Sequence, residues 1–153
     1  MSVPPDDMRL TGRALGEFIL RWAELAAPNF GGDLVTAVIY TAVIQANVRE
    51  IWNDSELNRQ YSADAPPDAL RRPISVSSIA ASLNLPRETV RRHVTKMLET
   101  GAMVKKDGGV MVPRAVVDSP QGLESMRLQY ANVRRFVLAL RRAGVSFAEA
   151  DQD

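Results

Sequence analysis

The sequence predicts a mainly α fold: two short helices joined by a tight turn run into a small β-hairpin, with longer helices on either side. Three observations predict it. Apolar residues recur at three- and four-residue spacing over residues 11–27, 33–52 and 119–144. Between these stretches, residues 74–114 break into two shorter helical patterns and a pair of alternating runs around Asp107, Gly108 and Gly109. Positive charge gathers in that same middle segment.

The first helix is expected from Thr11, a candidate N-cap, to Ala27, with Pro28 as its stop and Leu15, Phe18, Ile19, Trp22, Leu25 and Ala26 on one face. Asp33 follows a turn at Asn29 to Gly32 and caps a second helix reaching Trp52. Leu34, Val35, Val38, Ile39, Val43, Ile44, Val48 and Ile51 cover most of its circumference, the mark of a helix central to a core. Together, residues 1–53 form an N-terminal helical unit for core and dimerisation. Residues 54–73, rich in Pro, Asp and Ser, read as a polar loop with a short turn at Asp68 to Arg71. Such a long loop is unusual in a compact domain.

In the segment 74–114, Ser75 caps a helix bearing Ile79, Ala80 and Leu83, and Asn84 and Leu85 make the turn. Pro86 starts a second helix, where its missing N–H costs nothing. That helix buries Val90, Val94, Met97 and Leu98 and stops at Gly101, a natural position for positive φ. Runs 102–105 and 110–113 then form the hairpin, joined by Lys106 to Gly109. Ser119 and Pro120 open a C-terminal helix over 119–144, which Gly144 ends. Its Leu123, Met126, Tyr130, Val133, Val137 and Leu140 follow the alternating spacing of a coiled-coil seam, so they are the candidate dimerisation residues. The alternative is packing within the chain, against the helix of residues 33–52. An irregular tail is expected from Phe147 to Asp153.

The chain has 153 residues, no cysteine and a single histidine. It is long enough for one domain, while disulfides, thiolate metal sites and a cysteine nucleophile are excluded. Neither a metal site nor a cofactor is expected, and no Gly-rich phosphate loop or nucleophile-and-base pattern suggests an enzyme. The N-terminus lacks the basic and apolar regions of a secretory signal, and the apolar stretch Leu34 to Ile44 is short for a membrane span, so a cytoplasmic location without membrane contact is expected. The net charge of +1 conceals segregation. Residues 1–70 carry 5 basic and 10 acidic side chains, residues 71–114 carry 9 and 3, and residues 115–153 carry 5 of each. A polyanionic partner for the middle segment is the simplest reading.

The stretch SVSSIAASLNLPRETVRRHVTKMLETGAMVKKDGGVMVP resembles the bacterial winged helix-turn-helix. The resemblance implies that the second helix of the pair enters the major groove of double-stranded DNA and that the hairpin is the wing. Arg87, Glu88, Thr89, Arg91 and Arg92 then fall at the outward or N-terminal positions that meet base edges. Lys96 and the wing residues Lys105 and Lys106 fall where phosphate is met. Arg and Lys on a helix face are more often only solvated charge, and Glu88 equally suits the first turn of any helix. His93, beside Val90 and Val94, reads as a partly buried packing residue rather than a ligand or switch.

Added helices around the motif resemble the architecture of the MarR-type regulators, which work as homodimers; the GntR, IclR and ArsR types carry similar wings. A dimeric transcriptional regulator is therefore expected. Phe18, Trp22, Tyr40, Trp52 and Tyr130 are the candidate lining of a small-molecule effector pocket, against the more frequent role of such aromatics as plain core. The competing function is an adaptor, or a replication or plasmid-maintenance protein, that uses the same fold for protein or RNA contacts.

Overall fold

The computed structural model describes residues 5–147. The chain is mainly helical, with one two-stranded antiparallel sheet. In order, the elements are α1 (Pro5–Ala26), α2 (Leu34–Asn53), α3 (Ser55–Gln60), α4 (Val76–Leu83), α5 (Arg87–Glu99), β1 (Val104–Lys106), β2 (Gly109–Met111), α6 (Arg114–Val117) and α7 (Pro120–Arg142). Single 3-10 turns follow α1 at Ala27–Phe30 and precede α4 at Asp68–Leu70.

Local signals explain most boundaries. Asp33 accepts the Thr36 N–H at 3.1 Å, and Ser75 and Ser119 cap α4 and α7 through Ser78 and Gly122. Gly101 and Gly144 take positive φ just past α5 and α7. In the first half of the chain the sequence reading differs at two places, and in the second half it omits the short helix α6. Thr11 is not an N-cap: α1 starts at Pro5, whose fixed φ suits the first helical position, and Asp6 and Asp7 in the first turn favour the positive end of the helix dipole. The 54–73 segment is not one loop either, because Asp54 accepts the N–H groups of Glu56 and Leu57 and so starts α3. The short turn at Asp68 is present as expected. Residues 148–153 of the expected C-terminal tail lie outside the described residues.

The core forms where α2 meets α4, α5 and the hairpin. Ile39, Val43, Ile79, Val90, Val94, Met97, Met103, Val110 and Val112 are all buried in one cluster, each such side chain contributing about 1.5–3 kcal/mol over exposure. By length and composition α2 is apolar enough to cross a membrane, longer than the short stretch Leu34 to Ile44 picked out in the sequence; here Ile39, Val43 and Asn47 are fully buried in the core. The helix is not enclosed all round, since Leu34, Val35, Val38 and Trp52 remain exposed.

The other layer is the antiparallel pair of α1 and α7. Phe18 packs on Phe136 with ring centroids 5.3 Å apart, while Asn132 and Gln129 donate to the carbonyls of Phe18 and Trp22. The predicted seam lies on a different side of α7. Leu123, Met126, Tyr130, Val133 and Val137 stay exposed, and of the six only Leu140 is buried. The intrachain partner of α7 is thus α1 rather than α2, and it engages the stripe containing Gln129, Asn132 and Phe136.

Candidate nucleic-acid interface

The short helix α4 ends at Asn84, whose left-handed conformation (φ 52°) lets Leu85 N–H reach back to the Ala80 carbonyl at 3.0 Å. Asn tolerates this conformation better than most side chains. The chain then re-enters helix at Arg87 with Pro86 as cap residue. Val90, His93, Val94 and Met97 turn α5 inward; Arg87, Glu88, Arg91, Arg92 and Lys96 are left exposed on its opposite faces, with Thr89 half-buried between them.

Two of these residues are not independent, which the spacing alone did not reveal. Arg91 grips Glu88 through two hydrogen bonds, Nε to Oε2 at 2.8 Å and Nη2 to Oε1 at 2.5 Å. The shared hydrogen bonds hold the Glu88 carboxyl below its usual range and raise the Arg91 guanidinium. By contrast, the side chains of Arg87, Arg92 and Lys96 form no hydrogen bond or ion pair among the described residues.

His93 is buried, with Nδ1 2.7 Å from Thr36 Oγ1 and 3.3 Å from Asp33 Oδ2. It therefore fastens α5 to the capped start of α2. The Asp33 carboxyl lies below its usual value, chiefly because it accepts the Thr36 backbone N–H, with the Thr36 hydroxyl and the neighbouring His93 ring adding to that and partial burial opposing it.

In the hairpin, Val104 pairs with Met111, Lys105 with Val110 and Lys106 with Gly109. Asp107 and Gly108 both have positive φ, so the turn is a two-residue one, tighter than the four-residue connection expected. Gly109 is required for another reason: a Cβ there would stand 2.8 Å from the Ile74 carbonyl oxygen, where residue 74 bridges to Val110. Lys105 is exposed, but half-buried Lys106 donates from Nζ to the Asp68 carbonyl at 2.9 Å. Between α5 and the hairpin runs a groove of about 810 Å³ whose lining includes Arg91, Thr95, Lys105 and Lys106 together with Glu99 and Asp107.

The positive balance of this segment overstates its free charge. Arg71 is only 2% exposed, donating to the carbonyls of Pro66 and Val112, and burial lowers its pKa from the usual guanidinium value. Arg72 pairs with Glu50 and Arg114 with Asp118. The solvent-facing cations of α5 and the hairpin are what remain.

The aromatic pocket is reassigned. A cavity of about 400 Å³ lies among α1, α2, α6 and α7, and of the five expected residues only Trp22 and Tyr40 line it. Phe18 is engaged with Phe136, Tyr130 lies on the exposed side of α7, and Trp52 stands exposed at the far end of α2. Asn29, Phe30, Gln45, Ser125 and Gln129 line the cavity as well, brought together from separate segments. No group of three or more His, Asp or Glu positioned for a metal occurs among the described residues.

No family model, curated protein or solved structure matches this chain.

Proposed function

We propose that the chain is a winged helix-turn-helix protein that binds double-stranded DNA in a sequence-specific manner as a cytoplasmic homodimeric transcriptional regulator. In this reading α4 and α5 are the helix-turn-helix pair, α5 lies in the major groove and the β1–β2 hairpin is the wing on the backbone. The observation that carries it is the two-sidedness of α5. Its Val90, Val94 and Met97 are anchored in the core, while Arg87, Arg92 and Lys96 project unengaged into solvent, and Arg91 shares a groove with Lys105 of the hairpin.

Arg87 and Arg92 are the candidates for bidentate contact with guanine, and Lys96 and Lys105 for phosphate. Arg91 reaches a base only by exchanging Glu88 for it, which makes the Glu88–Arg91 pair a gate on contact at that position. Reading a two-fold operator calls for a symmetric pair of such units, and the exposed stripe Leu123, Met126, Tyr130, Val133 and Val137 supplies an apolar surface for it. Glu99 and Asp107 in the groove beside α5 favour the second reading, an adaptor that takes a basic peptide or protein segment.

Selection from a random duplex pool at two salt concentrations tests the first reading. The expected result is a two-fold-symmetric motif with affinity falling steeply as salt rises. Weak binding without sequence preference would reject it in favour of the adaptor.

A further inference from the structure

The cavity between the α1/α7 pair and α2 has a composition that selects a ligand. None of its lining residues carries a charge. Its apolar walls include Trp22, Phe30 and Ile44, and the polar part of its lining is made of neutral amides and hydroxyls. At about 400 Å³ it lies within the usual range for small-molecule sites.

Part of that polar lining is unused by the protein. The Tyr40 hydroxyl, the Ser125 hydroxyl and the Gln45 amide form no hydrogen bond among the described residues. Tyr40 is half-buried, and burial pushes its phenol above the usual value, so it stays a neutral donor at physiological pH. Tyr40 is held in place by Phe30, its ring centroid 5.0 Å away. By contrast, the Gln129 and Gln121 amides are already fixed, donating to the Trp22 carbonyl and to Asn29 Oδ1. The Tyr40, Ser125 and Gln45 groups keep contact with water, since no fully buried side-chain polar atom among the described residues lacks a partner, so a ligand acceptor would take the place of water at Tyr40. An ionised ligand would lose hydration here and meet no charged side chain in the lining, since the Arg71 guanidinium that acts on the Tyr40 phenol is itself donating to the Pro66 and Val112 carbonyls.

We propose that this cavity is a binding site for an uncharged, flat aromatic molecule bearing a carbonyl or amide, its ring against Trp22 and Ile44 and its carbonyl accepting from Tyr40. The site does not depend on the DNA-binding reading. Ala102, directly after the glycine that ends α5, also lines the cavity, so under that reading an occupant sits where it touches the exit of the recognition helix.

The two tryptophans allow a direct test on the intact protein. Trp22 lines the cavity, whereas Trp52 is 70% exposed and outside it. Their indole N–H signals in a ¹H–¹⁵N spectrum are followed during titration with benzamide and with its charged counterparts, benzoate and benzylammonium. The expected result is a saturable shift of the Trp22 signal by benzamide, a still Trp52 signal, and binding of both ions at least tenfold weaker. Tyr40→Phe should weaken benzamide binding severalfold with the thermal midpoint little changed, and Ser125→Phe should fill the cavity and abolish the shift. No Trp22 response to benzamide, or equal responses to the ions, would overturn the proposal. Because no DNA is present, either outcome leaves the duplex selection to be judged separately.

Discussion

Asn47 Oδ1 accepts the backbone N–H of Val112 at 3.0 Å, joining the middle of α2 to the residue just after the hairpin, 65 positions later in the chain. Its Nδ2 donates to the Arg72 carbonyl at 2.6 Å, and Arg72 N–H donates back to the Asn47 carbonyl at 2.9 Å. One fully buried amide thus fixes the segment entering α4 and the strand leaving the hairpin onto the same helix. Asn47→Leu keeps the volume but strands a buried N–H and a carbonyl. The expected cost is about 2–4 kcal/mol in urea unfolding. A loss below about 1 kcal/mol would mean that both groups find other partners without Asn47.

Arg91 and Arg92 are neighbours in sequence but not equivalent in structure, since only Arg91 is held by Glu88. Arg92→Ala should therefore cost about 1–3 kcal/mol of discrimination at one operator position. Glu88→Ala should release Arg91, tightening unspecific binding and relaxing preference. Competition binding against scrambled duplex checks both, and equal behaviour of Arg91→Ala and Arg92→Ala would count against the pairing as a gate.

The two hairpin lysines separate in the same way. Lys105→Ala should lower the slope of log affinity against log salt by about 1, the effect of one phosphate contact. Lys106→Ala should change that slope less, because its ammonium is already spent on the Asp68 carbonyl. The reverse order in a salt titration would show that the wing approaches DNA by its other edge.

Local chemistry made much of this fold legible in the sequence. Asp33, Ser75 and Ser119 act as caps within three residues of themselves, and Asp107-Gly108 sets the hairpin turn by its own backbone preference. What escaped depends on distant partners or on weak apolar pattern. Helix α3 buries no residue, so no periodicity announced it. Asn47, Arg71 and Asn132 are polar residues whose burial makes sense only through carbonyls far along the chain. The seam of α7 was visible, but not that a second stripe, offset along the helix and carrying Asn132, is the one that meets α1. Trp52 reads as pocket lining because aromatic residues on an apolar helix usually face inward; its neighbour Ile51 is the one buried at that end of α2, and Trp52 lies on the exposed side.

Asp33 should give the acid limb of stability a recognisable contribution. Its folded pKa is depressed, so the stabilisation it supplies is complete above the unfolded value of about 4. It is lost as pH falls through the lower folded value. Asp33→Asn keeps an N-cap of similar quality but cannot titrate. Urea midpoints measured from pH 6 down to the acid transition should fall less for Asp33→Asn than for the parent chain. Parallel curves would show that Asp33 contributes nothing to acid sensitivity.

The exposed stripe of α7 makes the strongest demand on what surrounds the chain. Val133 and Val137 are 46% and 44% exposed and Tyr130 is 72% exposed, on a helix whose other apolar side is already covered by α1. A single chain leaving five large apolar side chains of one seam in water gives up several kcal/mol that a partner helix would recover. Val133→Glu places a charge in the middle of that seam without disturbing the core. The expected outcome is a mass in light scattering that falls from dimer to monomer, with the helical circular dichroism retained. Arg92→Ala, on the exposed side of α5, should leave the dimer mass unchanged. If Val133→Glu instead keeps the parent mass, the stripe is not the intersubunit contact, and a two-fold operator would require α1 or the exposed start of α2 to join the subunits.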